Sequence, residues 1–250
     1  MRGINNQSTK LSMKKHILFS AMLLAAGTLL AADSSPKDDA TAAAKKLADT
    51  SYSWKTTLDL GPNSQFTPGP TEGKADKDMT WLSSSFQDNT SIGVSQGKKV
   101  VVKTDEGWKT AEELGDGGGQ FDMNVFMARR MQNLKAPSAE LQDLISKAGE
   151  LKKDGDVISG DLTKEGAEGL LTFGGFGRRG GANRPPPKDA KGSLKIWLKD
   201  GAIAKYETKV SGKVSFNGED RDMERTTTTE IKDVGKTKID LPDDAKKKLG

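Results

Sequence analysis

The chain has 250 residues, with Lys+Arg 39 against Asp+Glu 35, no cysteine and one histidine, His16. Beyond that position no cysteine nucleophile, Ser-His-Asp triad, histidine general base, Cys/His zinc site or disulfide framework can be built. Carboxylate or lysine chemistry remains, or binding without chemistry.

Residues 13–32 read MKKHILFSAMLLAAGTLLAA. Lys14 and Lys15 precede an apolar run from Ile17 to Leu30, shorter than the roughly 18–20 apolar residues of a membrane span. Ala31 and Ala32 follow. This is the three-part form of a cleaved secretory signal peptide over residues 1–32, with translation starting at Met13 as a variant of that reading. No cysteine stands at the cut, so lipid attachment there is excluded. The leader carries Arg2, Lys10, Lys14 and Lys15 and no acid, which accounts for the whole formal net charge of +4. The remainder is formally neutral, and no electrostatic footprint for nucleic acid is left.

Ser35-Pro36 with Asp38 and Asp39 behind it predicts a helix start, continued by Ala40, Ala43, Ala44 and Leu47. Tyr52, Trp54, Thr56, Leu58 and Leu60 then share one parity, a strand with one apolar face. Residues 61–70 hold three prolines and read as a loop. Short strands are predicted at 79–86, 90–96 and 99–104, followed by Trp108: an antiparallel meander. Residues 115–119 break it with glycines.

The period then changes. Met123, Phe126, Met127, Met131 and Leu134 recur at helical spacing. Pro137-Ser138 opens a second helix with Leu141, Leu144, Ile145 and Ala148 on one face. Residues 157–162 read as a strand and 163–171 as a short helix. Residues 173–192, rich in Gly and Pro, are expected to be a flexible loop. Leu194, Ile196 and Leu198 alternate with Lys195, Trp197 and Lys199 before a hairpin turn at Asp200-Gly201. Further strands are predicted around 204–210, at 214–216, at 221–232 and at 236–241. A short helix with acids first and lysines last closes the chain. Strands grouped on both sides of a helical centre indicate an α+β fold in a single domain over residues 33–250.

Gly175-Phe176-Gly177-Arg178-Arg179-Gly180 matches a dinucleotide-binding spacing. Pro185-Pro186-Pro187 follows where a helix is needed, so it reads as part of the loop. Nothing selects a catalytic carboxylate pair or a metal-ligand set, so no enzyme activity, cofactor or metal is expected. Tyr52, Trp54, Trp81, Phe86, Trp108 and Tyr206 lie on or beside strands. They read either as core between sheet and helices or as the lining of an apolar cavity. Trp81 and Phe86 have opposite parity, so both face inward only across a bulge. Trp197 lies opposite Leu194 and Ile196, so it is exposed unless the sheet is covered on both sides.

Four phrases in order resemble the LolA-like and LppX/LprG-like periplasmic lipoprotein and lipid carriers. They are the opening helix with residues 52–60, VVKTDEGW at 101–108, ISGDLT at 158–163, and IWLKDG at 196–201 with IKDVG at 231–235 and IDLP at 239–242. The resemblance implies a strongly curved antiparallel β-sheet, a half-barrel, with helices covering the concave face and acyl chains held between. It places Met123, Phe126, Met127 and the Leu141–Ile145 face on the lid. Joined to the aromatic strand residues, the expected cavity and lid comprise Trp54, Leu58, Trp81, Trp108, Phe126, Met127, Leu144 and Tyr206. The missing lipidation cysteine makes soluble LolA the nearer comparison.

The function expected from sequence is a monomeric, soluble periplasmic carrier or chaperone for a lipid or lipoprotein acyl chain, exchanging cargo with a membrane-bound donor or acceptor. The alternative is a protein-binding or sensor module on the same scaffold, with a filled core and an exposed patch near Trp197 or Phe176. A carboxylate hydrolase with a polar cleft is the third reading.

Overall fold

The computed structural model describes residues 34–61, 64, 68–86, 89–115, 122–173, 185–216 and 218–250. The leader, the glycine run and most of the Gly/Pro-rich loop lie outside them. Helix α1 (Pro36–Ala48) begins where the sequence places it: Ser35 accepts from Asp38 N–H at 3.2 Å, and Pro36 fills the first turn. Its Ala40, Ala43, Ala44 and Leu47 face is buried.

The strands are β1 (Tyr52–Asp59), β2 (Thr71–Asp76), β3 (Met79–Phe86), β4 (Asn89–Gln96), β5 (Lys99–Thr104), β6 (Gly107–Thr110), β7 (Lys152–Asp154), β8 (Val157–Asp161), β9 (Lys188–Lys199), β10 (Ala202–Phe216) and β11 (Glu219–Lys232). They form one 11-stranded sheet in the order β6-β5-β4-β3-β2-β1-β11-β10-β9-β8-β7. Every pair is antiparallel, and the sheet stays open. Two meanders, β1–β6 and β7–β11, join along β1 and β11. The fold is α+β, an open antiparallel sheet with helices, as the sequence indicates.

Helices α2 (Ala111–Leu114), α3 (Met123–Gln132), α4 (Pro137–Ser146) and α5 (Lys164–Phe173) lie between the meanders in sequence, and α6 (Asp243–Leu249) ends the chain. α3 packs on β4 and β5, α5 on β9 and β10, and α1 on α4 and β10. They and the sheet enclose the main core. α6 packs on β5 and β6 around a second cluster: Val94, Val101, Leu241, Ala245 and Leu249. In β4 and β5 these valines alternate with Gly93, Val100 and Val102, so this end of the sheet is covered on both faces.

One strand was not expected and three expectations need correction. β2 falls in a stretch with no apolar alternation; its inward residues are Thr71, Gly73 and Ala75, and the Trp54 ring occupies the space a side chain at 73 would need. β9 begins at Lys188, so the sheet takes in the end of the expected loop. β10 is one strand of 15 residues rather than two; register shifts against β9 absorb the irregularity. Residues 236–241 form no strand: Thr237 and Leu241 are buried, and Leu241 and Ile239 pack into the second cluster. The Asp200-Gly201 hairpin is as predicted, with φ 52° and 72° at its two turn residues.

Candidate functional site

The helix-covered face of the sheet is built in rows. One runs through Trp54, Gly73, Leu82, Gly93 and Val102, register partners on β1 to β5. It is apolar. The glycines make room: a Cβ at Gly73 would meet the Trp54 ring, and one at Gly93 would meet Met131 and Met127. Helix α3 therefore seats on the sheet through two methionines over a position without a side chain. Leu141, Leu144 and Ile145 of α4 complete this layer.

Two residues further along the strands the row changes character. Tyr206, Thr229, Thr56, Thr71, Ser84 and Ser91 are successive register partners on six strands. All six carry hydroxyls, and Thr71, Ser91, Tyr206 and Thr229 are buried. Thr56 and Thr229 hydrogen-bond at 3.0 Å. The interior face is thus amphipathic, with a hydroxyl row beside an apolar one.

Three helices are tied to this face by polar contacts. Arg130 of α3 donates to Ser84 Oγ and Thr71 Oγ1, each at 2.9 Å. Burial pushes its pKa down. Glu140 of α4 accepts from the Tyr206 hydroxyl. Burial holds the Glu140 carboxyl above its ordinary value, against the opposing effects of the Tyr206 hydrogen bond and Arg225. Tyr206 in turn lies well above the usual phenol range, because it is buried and because Glu140 stands beside it. Arg225 of β11 donates to the Leu170 carbonyl of α5. Nearby, the Tyr52 hydroxyl donates to Ser138 Oγ at 3.0 Å and accepts from Ser138 N–H at 3.2 Å. It satisfies a first-turn donor of α4, whose own cap residue, Ala136, cannot.

The structure divides the eight residues expected at the cavity and lid. Trp54, Met127, Leu144 and Tyr206 come together in the main core. Leu58 shares their strand face but lies beyond the hydroxyl row, half-buried. Phe126 points away from the core and is 47% exposed, because the buried face of α3 runs through Val125, Met127, Ala128 and Met131. Trp81 and Trp108 lie on the opposite face, against the second cluster under α6. Their parity is opposite to that of Leu82, and no bulge reverses it. Lys74 Nζ stands 5.3 Å from the Trp81 ring centroid. Trp197 is half-buried on the uncovered face of β9, with Lys195 and Lys205 Nζ at 4.9 and 3.7 Å from its ring centroid. The side chain of Phe86, Phe176 and the glycine motif at 175–180 lie outside the described residues.

Sequence reasoning missed Gly73, Gly93, Arg130, Glu140 and the hydroxyl row. The run of four threonines at 226–229 in β11 was the available signal; register across strands was not readable.

Among the described residues, side chains of the main core occupy the layer between helices and sheet. An apolar pocket between α1 and β10, lined by Ala43, Leu47, Ala202, Ile203 and Val234 among others, holds about 30 Å³. That is a water's share of liquid volume and far below a ligand pocket of roughly 300–1,000 Å³. A wider groove of about 470 Å³ opens on the opposite face beside Trp108, between Glu106, Lys109, Glu113, Asp244 and Lys248. Four of these charges are paired, Lys109 with Glu106 and Lys248 with Glu113. Among the described residues no group of three or more His, Cys, Asp or Glu could hold a metal ion. No described helix is long and apolar enough to cross a membrane.

Among solved structures the chain is similar to the lipoprotein LppX of Mycobacterium tuberculosis, at 10% identity and a TM-score of 0.40, over 81% of this chain and 98% of that one. No protein-family model and no curated protein matches the sequence.

Proposed function

We propose that the protein is a carrier or chaperone for the acyl chain of a lipid or lipoprotein, exported to the periplasm by its leader and left unlipidated, with residues 33–250 as one functional domain of the LolA-like kind. The acyl chain lies between the sheet and helices α3 and α4, and a membrane-bound donor or acceptor supplies or removes it. The observation that carries this reading is the seating of α3. Met127 and Met131 rest on Gly93, so the helix covers the apolar row through flexible, adaptable side chains. Uptake moves α3 off β4 and β5 and replaces methionine contacts with acyl contacts, each buried CH₂ contributing about 0.8 kcal/mol.

The filled layer favours a second reading, a protein-binding or sensor module that never opens. Native mass spectrometry of the protein, taken from a periplasmic extract without detergent, separates the two. Copurified mass that solvent extraction identifies as lipid supports the carrier. An unliganded mass that persists after exposure to phospholipid vesicles overturns it and leaves the binding module.

A further inference from the structure

Arg130 has an unusual set of partners. Its guanidinium carries five N–H donors. It meets the hydroxyls of Thr71 and Ser84, both neutral. Among the described residues no carboxylate pairs with it, although the chain carries 35 acids and its exposed lysines find partners readily. A desolvated cation without a counter-charge is costly to a fold, and it is retained most simply where an anion visits. The residue is part-buried rather than sealed in the core.

Its position adds a second constraint. Thr71 and Ser84 belong to the hydroxyl row, and the apolar row through Trp54, Gly73, Leu82 and Gly93 lies two residues away along the same strands. That separation is about 7 Å. Met127 and Met131, on the same helix as Arg130, cover the apolar row. One helix therefore brings a cation to the hydroxyls and methionines to the apolar strip, side by side.

We propose that Arg130, with Thr71 and Ser84, forms the subsite for an anionic oxygen group, carboxylate or phosphate, at the head of an acyl ligand whose chain runs along the apolar row. The guanidinium fork matches two oxygens of such a group, and the hydroxyls donate to it once released. This inference rests on the acyl-binding reading for the chain half of the ligand and on Arg130 for the head.

The test compares three probes on the full chain by isothermal titration at about pH 8, where a carboxylate of ordinary pKa is ionised: laurate, dodecanol of the same chain length, and inorganic phosphate. The expected result is a preference for laurate over dodecanol on the order of 10- to 100-fold, the range of a charge-assisted hydrogen-bond pair. In Arg130→Gln the preference falls to about twofold while dodecanol binding persists; Arg130→Lys keeps part of it. Equal binding of laurate and dodecanol by the unaltered protein overturns the head subsite and leaves the acyl reading standing; it requires no variant to fold. Phosphate bound through Arg130, with neither amphiphile bound, supports the anion site and overturns the acyl reading. No binding of any probe overturns both.

Discussion

The ring of Trp54 lies on Gly73: a Cβ added to that glycine would sit 2.1 Å from Trp54 Cζ2. The two residues are register partners on β1 and β2. The largest side chain of the inward row is thus accommodated by the absence of one on the neighbouring strand. Gly73→Ala forces the indole out of a packed layer, and overpacking of that kind costs about 1–3 kcal/mol. Urea denaturation is expected to show that loss in the single variant and a much smaller one when Trp54→Ala is already present, because the pair is directly coupled. Equal losses in both backgrounds would contradict the contact.

Glu140 gives the fold a pH dependence of unusual sign. Burial raises its carboxyl above the unfolded value. The folded state therefore holds the proton where the unfolded state has lost it. Stability from this group is fully present below the unfolded value, about pH 4.3, and declines as pH rises toward the folded one. Asp39, Glu113 and Asp143 are lowered by lysine partners and act oppositely, at lower pH. Glu140→Gln keeps an acceptor for Tyr206 and has no proton to lose. Unfolding free energy measured from pH 5 to 8 is expected to fall in the unaltered protein and to be flatter in the variant. Parallel curves would contradict the assignment.

The two clusters divide the labour of the sheet. Leu249 is buried against β5 and β6 on the face away from α3. Leu249→Ala leaves a cavity there and is expected to cost about 2–5 kcal/mol. Acyl binding, measured by laurate titration of the folded variant, is expected to stay within about twofold, a difference small against the tenfold that 1.4 kcal/mol brings. A loss of binding with folding retained would place the ligand on the wrong side of the sheet.

Much of the framework was legible in the chain. Ser35-Pro36 and the alternation from Tyr52 located α1 and β1 to within a residue, because caps and one-sided burial are written in local pattern. β2 was not legible, since its inward residues are not apolar in alternation: Gly73 makes room for Trp54 and Thr71 accepts from Arg130. Phe126 shows the same limit on a helix. Its spacing to Met123 and Met127 fits a face, yet the face that packs is centred on Met127 and Met131, with Asp122 as cap, and only the position of Gly93 decides this. Trp81 and Trp108 have the composition of a cavity wall, but the second face needs them because the C-terminal segment returns across it. The site is a property of register: hairpins align Thr56, Thr71, Ser84 and Ser91 in one meander and Tyr206 with Thr229 in the other, and only the pairing of β1 with β11 joins the two halves of the row.

The central claim is that α3 must leave Gly93 for an acyl chain to enter. The chain has no cysteine, so a single engineered disulfide can test it. A Cβ at Gly93 would lie 2.6 Å from Met131 Cγ, which puts a Gly93→Cys, Met131→Cys pair within bridging reach. Laurate titration of the oxidised and reduced forms of one preparation is the measurement. Binding in the reduced form and none in the oxidised form is the predicted result. Equal binding in both would contradict the account, because the ligand would then reach its site with α3 fixed to the sheet.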